Sequence, residues 1–138
     1  MQRYFRVFPL LLILLIGLES FGQEKENAIP VQKQLDAYNA RDIDAFLEPY
    51  SDNVKIFNHP NDLIMAGKEA MRERYGKKFS NSPDLHCTLQ NRMILGDVVI
   101  DQEYVIQKKG QPATQVIAMY KIMDGKIQEV YFIRPKVK

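Results

Sequence analysis

The sequence has few of the residues that point to a disulfide framework, a cysteine-ligated metal or a strongly charged partner. Its 138 residues include one cysteine, two histidines and no tryptophan. A single cysteine excludes an intrachain disulfide and a cysteine-based zinc site. Nineteen Lys and Arg against 17 Asp and Glu give a net charge of +2, so no nucleic-acid partner is expected.

Sequence signatures for metals, cofactors and nucleophilic triads are also lacking. His59 and His86 do not have the local spacing of a histidine metal site, and there is no Gly-rich phosphate loop or dinucleotide fingerprint. We therefore expect neither a metal nor a cofactor. The hydrophobic content of 46% is enough for one compact domain, and the length leaves no room for a second of ordinary size.

The one long apolar run lies at the N-terminus. Arg3 and Arg6 precede it, residues 7–18 are almost wholly apolar, and Ser20 and Gly22 supply the small residues of a signal-peptidase site. This pattern predicts a secretory signal peptide that is cleaved near Gly22. A membrane anchor is the alternative, but the run is shorter than the ~20 residues that a spanning helix needs.

Cleavage would leave one mature domain, residues 23–138, with 17 basic and 16 acidic residues and a net charge of +1. We expect this domain to be exported, to the periplasm or beyond. Because Cys87 is the only cysteine, no lipid-modified cysteine follows the apolar run, and no stable membrane anchor is expected.

Periodicity predicts three helices followed by an antiparallel meander, an α+β layout. The predicted helices are 28–40, 43–49 and 67–79, with Pro30 in the first turn of the first and Asp42 capping the second. Residues 51–53 are predicted as a turn. The predicted strands are 54–57, 63–65, 85–95, 98–107, 113–123 and 127–134. Asp124-Gly125 is the strongest hairpin signal.

The first long hairpin has one polar and one apolar face. The two-residue turn at Gly96-Asp97 fixes its register. The predicted cross-strand pairs are Leu95–Val98, Arg92–Asp101, Gln90–Glu103 and Thr88–Val105, with His86 further along the same polar face. The apolar face carries Leu85, Cys87, Leu89, Met93, Ile100, Tyr104 and Ile106.

Four stretches resemble the SnoaL-like branch of the nuclear transport factor 2-like superfamily. They are 38–46 (YNARDIDAF), 50–54 (YSDNV), 67–71 (GKEAM) and 120–127 (YKIMDGKI). The resemblance implies a cone-shaped curved antiparallel sheet, with three N-terminal helices covering one face and enclosing a pocket. It also implies a homodimer formed through the open face of the sheet. The branch includes polyketide cyclases and many members without known activity.

Ketosteroid isomerase belongs to the same superfamily, so its catalytic positions can be compared with this sequence. With residues 39–44 as the anchor, its oxyanion-hole Tyr falls on Gln34 and its base on Asn58 or His59. Its protonated Asp falls near Ala118. None of these positions holds a carboxylate or a phenol, so the resemblance does not imply steroid isomerase chemistry.

Four residues are candidates for catalysis: His59, Arg92, Asp101 and Glu103. His59 lies in a loop where the family's pocket opens, so it is either a general base or a solvated loop residue. If the polar hairpin face lines the pocket, Asp101 and Glu103 are acid/base groups and Arg92 orients them or clamps an anion. If that face points outward, it is a solvent face or a wet dimer surface. In SnoaL-like relatives a histidine often separates a similar Asp and Glu, whereas Gln102 does so here.

The pocket is expected to hold a small apolar or carbonyl-containing molecule. Its predicted lining residues are Tyr38, Phe46, Phe57, Tyr75, Phe79, His86, Tyr120 and Phe132. Two functions remain open. The domain is either an enzyme that runs metal-free acid/base chemistry of the isomerase, cyclase or hydratase type, or a non-catalytic module for ligand binding or dimerisation.

Overall fold

The helices and strands follow the order that the sequence predicts. A computed structural model describes the backbone of residues 10–135 and the side chains from Gly22 onward. The helices are α1 (Leu10–Ala40), α2 (Ile43–Leu47) and α3 (Gly67–Asn81). The strands are β1 (Tyr50–Asn58), β2 (Asp62–Ala66), β3 (His86–Leu95), β4 (Val98–Ile106), β5 (Thr114–Met123) and β6 (Lys126–Ile133).

Helix α1 is longer than predicted and runs through the expected cleavage site at Gly22. Pro30 is therefore inside the helix, and not in its first turn as predicted. Because proline has no N–H, the carbonyl of Glu26 lacks its usual helical hydrogen bond. Among residues 10–135, no helix has the length and hydropathy that crossing a lipid bilayer requires. The remaining part of the predicted signal, residues 1–9, lies outside the described residues.

The end of α1 is fastened to β3. Asn39 donates to the Cys87 carbonyl at 2.9 Å and accepts from its N–H at 2.7 Å. Arg41 then leaves the helix with a positive φ of 56°. As predicted, Asp42 caps α2, since its side chain accepts from two backbone N–H groups in the first turn.

The six strands form one sheet in the order β2-β1-β6-β5-β4-β3. Neighbouring strands are antiparallel except for β1 and β6, which pair in parallel. The predicted turn at 51–53 is wrong because these residues belong to β1, whose pairing with β6 is irregular between Tyr50 and Lys55. Ser51, Asp52 and Asn53 are residue types that are common in turns, and for this reason the irregular strand was predicted as a turn.

The core lies between the helices and one face of the sheet. Fully buried side chains from each of the three helices pack against fully buried side chains of the strands. Examples are Val31 of α1, Phe46 of α2 and Met71 of α3, which lie in one cluster with Val99 and Val130. The other face of the sheet is left open in the chain.

The β3–β4 hairpin has the predicted register only near its turn. Leu95 pairs with Val98 and Arg92 with Asp101, as predicted. The register then shifts between Leu89 and Asn91, so Glu103 lies opposite Leu89 and Thr88 lies opposite Tyr104. The predicted pairs Gln90–Glu103 and Thr88–Val105 are therefore wrong. A β-bulge at Gln90, which periodicity does not reveal, is the reason.

Candidate active site

Arg92, Asp101 and Glu103 of the hairpin's predicted polar face point into the molecule, whereas His86, Thr88 and Gln90 are exposed. Along β4 the buried positions alternate, and they are Val99, Asp101, Glu103 and Val105. Asp101 is 0% exposed and Glu103 is 6% exposed. Met93, Ile100 and Tyr104 of the predicted apolar face lie instead on the outer face, where Met93 is 58% exposed. Cys87 and Leu89 point inward, because the register shift between Leu89 and Asn91 reverses the alternation along β3. For Asp101 and Glu103, the structure therefore supports the interpretation in which these side chains point inward and not toward solvent.

A cavity of about 100 Å³ lies between the helices and this inner face. Its lining residues are Gln34, Leu35, Tyr38, Phe46, Tyr50, Tyr75, Lys78, Cys87, Glu103, Val105, Gln107, Thr114, Val116, Tyr120, Phe132 and Arg134. Gln34, Tyr50, Glu103 and Tyr120 are buried and form the floor. Gln107, Thr114 and Arg134 are exposed and mark the mouth, with half-buried Lys78 beside them.

A chain of hydrogen bonds crosses the floor. The Tyr50 hydroxyl donates to Gln34 Oε1 at 3.2 Å, and Gln34 Nε2 donates to the Tyr120 hydroxyl at 3.0 Å. The Tyr120 hydroxyl then donates to Glu103 Oε1 at 3.3 Å. Each donor points toward Glu103, so this carboxyl group accepts at the end of the chain. The arrangement fixes the orientation of the Tyr120 hydroxyl.

Glu103 is poised to exchange a proton near neutrality. Burial, together with the charge of Asp101, raises the pKa of Glu103 from 4.5 to about 7. Contacts with the Cys87 thiol and the Tyr120 hydroxyl, and the charge of Arg92, lower it by less. A carboxyl group with a pKa near working pH is the usual requirement for a general acid or base.

Asp101 is buried behind the floor and bound by arginine. Arg92 Nε and Nη2 each donate at 2.7 Å to a different oxygen of Asp101, a bidentate pair. Arg92 Nη1 also donates to Gln32 on α1 at 2.9 Å. Neither Asp101 nor Arg92 lines the cavity. Their pairing occupies both groups, so they act on Glu103 through their charges.

The tyrosines of the site are hydrogen-bond donors and not bases. Burial raises the pKa of Tyr50 and that of Tyr120 well above 10. Burial also raises the pKa of Tyr75 to about 12 and that of Tyr38 further still. All four phenols therefore keep their protons at neutral pH. Among residues 22–135, Glu103 is the one residue with a carboxyl group that lines the cavity.

Most of the aromatic residues predicted for the pocket are found there. Tyr38, Phe46, Tyr75, Tyr120 and Phe132 line the cavity. Phe79 lies behind this wall, with its ring centroid 5.5 Å from that of Tyr38 and 5.4 Å from that of Phe46.

Three predicted site residues lie elsewhere. His59 is exposed in the turn after β1 and does not line the cavity. His86 is exposed because Cys87, its neighbour on β3, takes the inward position. Phe57 stacks on Tyr131 at 4.8 Å and likewise does not line the cavity, because both side chains belong to the outer sheet face.

Four polar residues that line the cavity were not among the predicted lining residues: Gln34, Tyr50, Lys78 and Arg134. The comparison with ketosteroid isomerase did place an active-site position at Gln34. Helical spacing could have found two of the four residues. Gln34 lies four residues before Tyr38 on α1, and Lys78 lies three residues after Tyr75 on α3, so each shares a face with a predicted lining residue. Within residues 22–135, no group of three His, Cys, Asp or Glu side chains is arranged to hold a metal ion.

Comparison with known proteins gives the class of the chain. Residues 31–130 match the SnoaL-like domain family, and the chain belongs to it. Among curated proteins, none matches the chain significantly.

Solved structures of the same fold are numerous. An uncharacterised cystatin-fold protein from Novosphingobium aromaticivorans is 27% identical with a TM-score of 0.72, over 78% of this chain and 97% of that one. A candidate ketosteroid isomerase from Kribbella flavida is 14% identical with a TM-score of 0.70, over 84% and 82%. A candidate SnoaL-like polyketide cyclase from Jannaschia is 20% identical with a TM-score of 0.65, over 80% and 85%. The predicted nuclear transport factor 2-like fold is thus confirmed.

Proposed function

We propose that this SnoaL-like domain is a cofactor-free acid/base catalyst and that Glu103 is its proton-transfer group. The supporting observation is the place of this carboxyl group, buried on the floor of an open cavity and in contact with a phenol. The substrate class is a small carbonyl compound. A cavity of about 100 Å³ suits one ring or a short chain.

The proposed step is proton abstraction next to a carbonyl group. The C–H bond breaks, its proton goes to Glu103, and its electron pair moves to the carbonyl oxygen to form an enolate. Once Glu103 carries the abstracted proton, the Tyr120 hydroxyl, which Gln34 holds in place, would turn its O–H from Glu103 to that oxygen and donate a hydrogen bond to it. In a β,γ-unsaturated carbonyl compound the enolate extends over the C=C bond, and return of the proton to the γ-carbon completes an isomerisation. The rate should rise with pH through about 7, because only ionised Glu103 accepts a proton.

Deuterium exchange tests the proposal without knowledge of the natural substrate. The protein is incubated in D₂O with small ketones and 1,3-diketones, and loss of the α-proton is followed by NMR. Exchange should exceed the buffer rate by about 10²-fold or more and should be lost in Glu103→Gln. Glu129→Gln, the same change on β6 outside the cavity, should retain it.

Exchange that is equal in wild type and Glu103→Gln would contradict the proposal. The cavity would then bind its ligand without turnover, which is the alternative function for this fold.

We also propose that the domain acts outside the cytoplasm, as the N-terminal pattern suggests. Two contacts hold the chain on the mature side of Gly22: Asn27 donates to the Gly96 carbonyl at 2.8 Å, and Glu24 accepts from the Gly96 N–H at 3.3 Å. Cleavage after Gly22 would leave both contacts in place. The protein should be found in the exported fraction of its host with an intact mass that corresponds to residues 23–138. Full-length protein confined to the cytoplasm would contradict the proposal.

A further inference from the structure

Two cationic side chains stand at the mouth of the cavity. Lys78, from α3, places Nζ 5.7 Å from the centroid of the Tyr38 ring. Arg134, which follows β6, places Cζ 4.8 Å from the centroid of the Phe132 ring. Both rings line the cavity, so each of the two cations lies against an aromatic residue of its wall.

These cations have no acidic partner among the side chains of residues 22–135. Arg134 Nη1 donates to the neutral amide oxygen of Asn58 at 2.7 Å, and Lys78 forms no salt bridge. Salt bridges within residues 22–135 are formed by seven other Lys and Arg side chains, namely Lys33, Lys68, Arg72, Lys77, Arg92, Lys121 and Lys126.

The positive charges of Lys78 and Arg134 repel each other, so the mouth of the cavity favours an anion. Burial, with the charges of Arg134 and Arg74, lowers the pKa of Lys78. In the part of the chain that the structure describes, the one carboxyl group in the cavity is that of Glu103, which lies on the floor and accepts from Tyr120. Positive charge at the mouth is thus left without compensation, and a bound anion would relieve it.

We propose that the cavity binds a small monocarboxylate, with the carboxylate held by Lys78 and Arg134 and the apolar body among the aromatic side chains. The proposal deepens the proposed function, since it rests on the same cavity being the substrate site. Guanidinium and ammonium groups pair well with a carboxylate. The body is limited to about one ring or a short chain by the cavity volume of about 100 Å³. A carbonyl in that body would face Glu103.

A charge-matched pair of probes tests the proposal. Binding of 3-phenylpropionate and of its neutral amide, 3-phenylpropanamide, is measured by calorimetry with the full chain at neutral pH. The acid should bind at least about tenfold more tightly than the amide, and this difference in affinity should shrink at high salt. Equal affinity of the two probes, or binding of neither at millimolar concentration, would overturn the proposal.

Variants at the mouth of the cavity test whether Lys78 and Arg134 cause the preference for the acid. Lys78→Gln with Arg134→Gln should remove the preference for the acid and leave amide binding within about twofold. Lys77→Gln is the matched control, because Lys77 is exposed and paired with Glu73 at 2.8 Å. A preference that survives in the double variant would overturn the proposal. Glu103→Gln should keep the preference, so loss of proton exchange without loss of acid selectivity separates the two proposals.

Discussion

Two carboxyl groups on the same face of β4 have different surroundings. Asp101 lies opposite Arg92 and is neutralised by a bidentate pair. Glu103 lies opposite Leu89 because of the β-bulge at Gln90, so no cation faces it across the hairpin. One strand therefore presents a carboxylate that is paired with arginine and a carboxyl group without such a partner, and only the second of these lines the cavity.

Removal of Arg92 should be strongly destabilising. Asp101 is fully buried, so Arg92→Met would leave an uncompensated charge in the core. We expect a loss of about 3 kcal/mol in the free energy of unfolding, measured with urea. Arg72→Met is the control, since Arg72 and Asp44 form an exposed pair and should cost under about 1 kcal/mol. Similar losses for the two variants would contradict this account.

The titration of Glu103 should make stability depend on pH. The pKa of Glu103 is higher in the folded chain, about 7, than its usual 4.5, so the folded state binds more protons between these values. Stability should therefore fall as pH rises from about 4.5 to 7, by up to roughly 3 kcal/mol.

Glu103→Gln removes this contribution. The variant should lose stability less steeply over that pH range than wild type, as measured by thermal unfolding. Parallel stability curves for the two proteins would contradict the assignment.

The sequence could predict only part of this site. The turn at Gly96-Asp97 correctly paired Arg92 with Asp101, because register near a tight turn is set by the turn. It could not show which face of the hairpin is inside, since an open sheet leaves an apolar outer face that resembles a core face. Composition also cannot reveal a bulge.

At the scale of elements, tight turns set the strand register. The turn between β5 and β6 has positive φ at both central residues, 52° at Asp124 and 70° at Gly125. This is the geometry that a two-residue hairpin requires, and the sequence predicted it. The long-range pairing of β1 with β6 was not predicted, because parallel neighbours leave no local turn in the sequence.

Substitution of Gly125 should impair folding and leave the cavity chemistry unchanged. A side chain at Gly125 has open space around it, so the cost is the positive φ alone, about 1–2 kcal/mol for Gly125→Ala. Gly76→Ala is the matched control inside α3, where alanine should stabilise by roughly 0.5–1 kcal/mol. The melting temperatures should shift in opposite directions, and an unchanged Gly125→Ala protein would refute the argument. Gly125→Val and Asp124→Ala should also harm folding.

On the scale of the whole molecule, the outer sheet face is open and partly apolar. Met93 is 58% exposed, Ile133 39% and Ile117 38%. Isolated monomers seldom expose large apolar patches. Together with the resemblance to related domains, this supports a proposed homodimer through that face.

Sedimentation of the protein at micromolar concentration should give twice the chain mass. Ile117→Glu should shift the protein to the monomer, because it places a charge within the apolar face. Ile29→Glu, an equally large change at an exposed position on α1, should leave the dimer intact. A monomeric wild-type protein would rule out the dimer.

The central claim is that the fold turns Glu103 into a proton-transfer group for neutral pH. Carbon-13 NMR of the labelled carboxyl group, followed from pH 3 to 9 with Glu103→Gln for assignment, tests it most directly. We expect Glu103 to titrate with a pKa of about 7. A pKa near 4.5 would contradict the account, since the cavity would then hold an ordinary carboxylate.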